Sequence, residues 1–288
     1  MYKKEIKVRG FKHPVDSYEF DNLTDVIQWI KETEYSKPFR ENHYHKVEAN
    51  MHHTNDEWGG NVTWNESVDL LLHGWKDGAE KITQKIKSTA KADEGIKHQK
   101  TFLSMQGYQA HVPNYVMGQP LSMINKKSVV IKQKVVTINR IMSYNGSFSA
   151  NEIMEYGLRA LQIIRKIESQ GIRVKLNLLK GTKYDGYVTA EKICIKRPDE
   201  RINISKLAFP IAHTGMYRKL MFNIIQKQPT WEKVDNYFAA SMGVPLNDDE
   251  LRRIYNEPDQ YFIPSKLYEG DVRNINSLDD LQKNFQIF

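Results

Sequence analysis

The stretch VVTINRIMSYNGSFSANEIMEYGLRALQIIRKIESQGIRVKLNLL, residues 135–179, decides how the chain is read. Its first part, with Val129-Val130-Ile131 before it, is a β-branched run reaching Met142, the composition of a strand. Ser149 followed three residues on by Glu152 is a capping box. Behind it Ile153, Leu158, Leu161, Ile164 and Ile167 return at helical spacing, and Gly171 stands where a left-handed terminating glycine belongs. Ile172 to Leu178 then alternates with period two. Strand, helix, strand implies two parallel strands joined by a right-handed crossover.

Outward from this unit, the run Tyr187 to Arg197 alternates again after a Gly181–Gly186 turn, which predicts an antiparallel edge strand on an otherwise parallel sheet. Cys194, the single cysteine, lies in that run and reads as a buried strand residue; one cysteine excludes a disulfide framework. Helices are expected over 205–227, 231–242 and 248–255, the last capped by Asn247 with Glu250, then a short strand at Tyr261-Phe262-Ile263 and a terminal helix over 277–285.

Upstream, residues 1–20 read as a short strand and turn, and Val26, Ile27 and Ile30 mark a first helix. Residues 36–60 read as irregular. Thr63 and Glu66 form another capping box, and one amphipathic helix is expected from there to about Ala90, weakened by Gly74 and Gly78. Residues 91–127, with Pro113 and Pro120, read as connecting structure. The expectation is an α/β protein: a mostly parallel open sheet with an antiparallel edge strand, preceded by a largely helical N-terminal portion. Its divisions would be 1–127, mainly helical and irregular, 128–270, the α/β region, and 271–288, a C-terminal tail with a short helix.

The octet Met142–Ser149 sits where open α/β sheets bind ligands, after a strand and before a helix N-terminus. The order of elements over 128–265 resembles the von Willebrand factor A-like fold, whose first loop binds a divalent cation through Asp-x-Ser-x-Ser. Asn145, Ser147 and Ser149 have that spacing, with an amide in place of the carboxylate a hard cation prefers. The same residues also make an ordinary turn, with Asn145 and Gly146 turning the backbone and Ser149 capping the helix. His52 and His53, near Asp56 and Glu57, are a second candidate metal set, though not at any zinc-motif spacing. No cofactor is expected beyond such a divalent metal.

No G-x-x-x-x-G-K-S/T, G-x-G-x-x-G or G-x-S-x-G is present, so nothing names a catalytic residue and the reading leans away from an enzyme. A formal charge of +7, from 42 Lys and Arg against 35 Asp and Glu, permits a phosphate-bearing partner. The densest cluster is Lys126, Lys127, Lys132, Lys134 and Arg140, the candidate nucleic-acid-binding set, although lysines on an exposed strand also discourage edge pairing. No run approaches membrane-spanning length and no apolar segment follows the basic N-terminus, so neither membrane nor export is expected.

The spacing of Trp58–Ser67, Leu70–Gly78 and Val112–Met123, continuing through Ser149–Gly171, resembles an uncharacterised family of bacteriophage-encoded proteins. That resemblance implies a viral or prophage origin and carries no activity. The favoured expectation is a non-enzymatic phage-type binding protein in the cytoplasm of the infected host, acting on nucleic acid or a nucleoprotein. The rivals are a virion structural or assembly protein, self-associating through an apolar interface, an inhibitor of a host defence protein, and a metal-dependent enzyme or adhesion module.

Overall fold

The computed structural model describes residues 1–41, 57–89, 99–128, 134–235, 237–238 and 242–285. The chain begins with β1 (Tyr2–Ile6), β2 (Val15–Phe20), α1 (Leu23–Glu32) and α2 (Lys37–Glu41), followed by α3 (Trp64–His73) and α4 (Lys76–Thr89). Next come β3 (Gln99–Ser104), β4 (Gln109–Ala110), α5 (Val112–Val116) and β5 (Met123–Ser128). The central unit is β6 (Val135–Ile141), α6 (Ala150–Ser169), β7 (Arg173–Tyr184) and β8 (Tyr187–Lys196). The remainder is α7 (Ile204–Ala212), a π-helical turn at Met216–Met221, α8 (Phe222–Gln226), a 3-10 turn at Pro229–Lys233, β9 (Val244–Pro245), α9 (Asp248–Ile254), β10 (Gln260–Ile263), α10 (Glu269–Asn274) and α11 (Leu278–Phe285).

The main sheet has the order β1-β2-β8-β7-β6-β10, with β9 beside the far end of β7. Ladders β6·β7, β6·β10 and β2·β8 are parallel; β1·β2, β7·β8 and β7·β9 are antiparallel. The expected α/β class is therefore what the chain adopts, a mostly parallel sheet with antiparallel strands towards its edges. One detail differs: β8 pairs β2 on its far side, so the outer strand is β1. The sheet also spans the expected division at 127, since β1 and β2 extend a sheet whose other strands lie beyond it.

One face of the sheet packs on α6, α7 and the π-helical turn through Val136, Ile138, Leu176, Leu178 and Ile193. The other face carries Ile141, Leu179 and Val188 against Leu251 and Ile254 of α9. Burying each such side chain contributes roughly 1.5–3 kcal/mol. The Ser149–Glu152 box opens α6, and Gly171 ends it with φ 79°, as the spacing predicts. Cys194 is buried in β8.

The differences are tertiary in origin. The helix expected from 63 to 90 breaks at Gly74, whose φ of 96° is left-handed and which lies against the Ser205 carbonyl, while Trp75 N–H donates to that carbonyl at 2.9 Å. The helix expected over 205–227 stops at His213, whose extended backbone caps α7, and resumes as the π-helical turn. Residues 229–233 wind as a 3-10 turn where part of an α-helix is expected. Residues 36–60, expected to be irregular, include α2. Residues 91–127, expected to connect, supply a three-stranded sheet β3-β5-β4. None of its described side chains is buried, so they carry no core-facing alternation to read.

That second sheet has its own local requirement. A Cβ on Gly107 would stand 2.2 Å from the Ile124 carbonyl oxygen, because Tyr108 N–H turns in to bond that same oxygen at 3.0 Å. Gly107→Ala is expected to break the β4·β5 pairing while leaving the main sheet intact. Amide hydrogen exchange checks this: protection should fall across 108–124 and persist in β6 to β8. Uniform protection in the variant would contradict it.

Candidate functional site

The octet forms a turn whose exposed part is closed by local hydrogen bonds and whose buried part is tied to other elements. Tyr144 is buried, with its N–H donating to the Tyr217 hydroxyl at 3.2 Å, and that hydroxyl donates to the Tyr144 carbonyl. Asn145 Oδ1 accepts from Ser147 N–H at 3.1 Å and from Ser147 Oγ at 2.5 Å. Ser149 Oγ accepts from Glu152 N–H at 3.2 Å, and Glu152 Oε2 accepts from Ser149 N–H at 2.8 Å. These bonds hold the Glu152 carboxyl below its ordinary range. Asn145, Ser147 and Ser149 are exposed at the turn, the amide and the Ser147 hydroxyl occupied with each other and the Ser149 hydroxyl with Glu152. Among the described residues, no group of three or more His, Cys, Asp or Glu is placed to hold a metal ion. His52 and His53 lie outside the described residues.

The candidate basic set divides. Lys126 and Lys134 are exposed, the backbone of Lys127 pairs that of Lys100 across β3·β5, and Lys132 lies outside the described residues. Arg140 is a correction: it is fully buried and offers no charge to a surface. Period-two alternation puts it on the side of β6 that Val136 and Ile138 occupy. There its guanidinium donates to the Tyr144 hydroxyl at 2.7 Å, to the Ser265 carbonyl at 3.0 Å and to the Pro264 carbonyl. It fastens the octet to the chain leaving β10.

A buried pair of ionisable groups lies under the π-helical turn. Lys180 on β7 stands opposite Glu191 on β8, both sealed from solvent. Glu191 Oε1 accepts from Gln228 Nε2 at 2.5 Å, whereas Lys180 Nζ has no hydrogen-bond partner among the described residues and lies 4.3 Å from the Tyr217 centroid and 4.1 Å from that of Phe222. Burial pushes Lys180 down to about 7 and Glu191 up.

The surface suited to a partner is the β3-β5-β4 sheet. Among the described residues its strands pair with one another and with no strand of the main sheet, and α5 buries none of its residues. Phe102, Met105, Tyr108, Tyr115, Val116 and Met117 are all exposed. Lys126 Nζ lies 4.7 Å from the Tyr108 ring centroid, a cation held over a ring that itself faces solvent. The sheet lies in an interval, from Gly95 to Asn151, that contains no Asp or Glu. Counting lysine density passes over this signal, because it consists of missing carboxylates. Chemically the surface offers ring faces and uncompensated positive charge to an anionic or apolar partner.

The chain belongs to the family described as "Domain of unknown function (DUF7192)", whose model matches residues 4–287. No curated protein and no solved structure matches it. Among the described residues no helix is long and apolar enough to cross a membrane.

Proposed function

We propose that this is a non-enzymatic, phage-type binding protein acting in the infected cell, and that it engages nucleic acid or a nucleoprotein through the β3-β5-β4 sheet. The observation that carries the reading is the carboxylate-free interval between Glu94 and Glu152, within which Lys126 lies over the exposed Tyr108 ring and Phe102 and Tyr115 are exposed as well. A polyanion is repelled by interspersed carboxylates, and exposed rings next to ammonium groups stack on bases while the cations sit near phosphates. The von Willebrand factor A-like kinship belongs to the same proposal, supported by the order strand, octet, helix, strand, antiparallel strand in β6, α6, β7 and β8.

The test is fluorescence anisotropy with a labelled oligonucleotide between 50 and 200 mM salt, concentrations at which phosphate contacts separate affinities well. Affinity should fall with salt, Lys126→Glu should reduce the log–log salt slope by about 1, and Tyr108→Ala should cost about 1–3 kcal/mol. No binding at the lowest salt, or binding indifferent to salt, rejects the reading. A second reading, an assembly protein, draws on the exposed apolar residues Val112, Val116, Met117 and Leu121. It requires a stable oligomer in sizing experiments that Val116→Asp disperses.

A further inference from the structure

A cleft of about 460 Å³ opens beside the first turn of α6, lined among others by Trp75, Lys81, Ala150, Asn151, Met154 and His213. Three donors of different kinds meet there. The first is the N-terminus of a twenty-residue helix. Its capping box satisfies Glu152 N–H and Ser149 N–H, while those of Ala150 and Asn151 have no partner among the described residues. Free N–H groups at that end of a helix dipole attract anions.

The second donor is His213, only 8% exposed. Its Nδ1 accepts the Gly215 N–H at 3.0 Å, which places the proton on Nε2. Nε2–H has no partner among the described residues, and the ring forms part of the cleft wall. Trp75 packs edge-on against it at 4.7 Å and Phe209 stacks on it at 4.9 Å, so the imidazole plane is pinned. Burial and the charge of Lys81 bring its pKa down to about 4, so at neutral pH it stays an uncharged donor. The third donor is the Lys81 ammonium itself.

The other groups on the wall suit the body of a ligand more than its anion. Glu57 and Asn61 accept hydrogen bonds, and Trp75 and Met154 supply apolar surface. The nearby Glu152 carboxylate is tied back to Ser149. We infer that this cleft binds a phosphorylated small molecule of sugar-phosphate or nucleotide size, its phosphate on the α6 N-terminus, Lys81 and His213 Nε2–H, and its hydroxyl or amino groups towards Glu57 and Asn61. The site is separate from the β3-β5-β4 sheet.

Isothermal titration of the full chain with ribose 5-phosphate and adenosine monophosphate, against ribose and adenosine, tests it. Either phosphorylated probe should bind at least tenfold more tightly than its unphosphorylated counterpart. Lys81→Glu, on an exposed side chain, should weaken that binding tenfold or more. Ala150→Pro removes one N–H at a position where helices accept proline and should weaken it severalfold. Lys126→Glu should leave it unchanged. No binding of either phosphorylated probe at millimolar concentration, equal binding with and without phosphate, or full binding by Lys81→Glu overturns the inference, as does loss of binding in Lys126→Glu.

Discussion

Gly157→Ala should destabilise the protein by about 2–3 kcal/mol, although alanine is intrinsically the better helix former by about 1 kcal/mol. Gly157 lies in the middle of α6 where α7 crosses it. An added Cβ would stand 2.3 Å from Ala212 Cα, 2.4 Å from the Ile211 carbonyl oxygen and 2.6 Å from Ala212 Cβ. Two of those three atoms are backbone, so relief requires α7 to move, and α7 carries Leu207, Phe209 and Ile211 into the core. Displacing one helix of a close-packed pair forfeits contacts along the whole crossing. Gly270→Ala is the internal control: it lies in α10 and a Cβ there meets nothing within 4 Å. Helix propensity then acts alone, and the change should be neutral or stabilising by up to about 1 kcal/mol. Urea unfolding should show a lowered midpoint for Gly157→Ala and an unchanged or raised one for Gly270→Ala. A stabilised Gly157→Ala would show that α6 and α7 do not approach this closely.

The same glycine shows what a sequence can and cannot disclose. The capping boxes at Thr63, Ser149 and Asn247 are visible because partner and cap are three residues apart, and all three form. The β6-α6-β7 unit and the antiparallel β8 follow from periodicity within short windows. Gly157, by contrast, reads only as a weakness in a helix, since its reason is α7, more than fifty residues away. The break at Gly74 likewise depends on the Ser205 carbonyl, and the place of β2 beside β8 depends on a pairing of distant segments.

The candidate surfaces divide in the same way. The carboxylate-free interval is plain in the sequence once absence is counted, whereas β3, β4 and β5 bury too little to leave an alternating pattern. Arg140 illustrates the opposite error. It belongs to the basic cluster by proximity in sequence, yet strand alternation turns it inward, where carbonyls after β10 receive it. The cleft beside α6 unites Lys81, Asn151 and His213 from three separate stretches, and no spacing rule joins them.

Raising the pH from 7 to 9 should stabilise the protein, and Lys180→Met should remove most of that rise. Lys180 is 1% exposed and its Nζ has no hydrogen-bond partner among the described residues. Burial lowers its pKa from 10.5 to about 7, opposed in part by Glu191. Between those values the unfolded chain holds a proton that the folded chain has released, so stability climbs with pH, by up to about 1.4 kcal/mol per pH unit. Below about 7 both states are protonated and this contribution is flat. Other groups define the range of the test. Glu191, raised by burial, loses stability as pH climbs above 4.5 through its folded value, which opposes the rise from below. Cys194 and the buried Tyr144, Tyr217 and Tyr255 are raised as well and lose stability above about 9 and 10, which closes the window from above. Lys166 is lowered by partial burial and leaves a small residual slope in any variant that keeps it. Methionine matches the length of the lysine stem and keeps the contact with the Tyr217 and Phe222 rings, so the substitution removes the titrating amine with little change in packing. Urea unfolding at pH 7, 8 and 9 reads the slope directly. An undiminished rise in Lys180→Met would mean that the buried amine is not the group being titrated, and that Lys180 reaches water or a carboxylate.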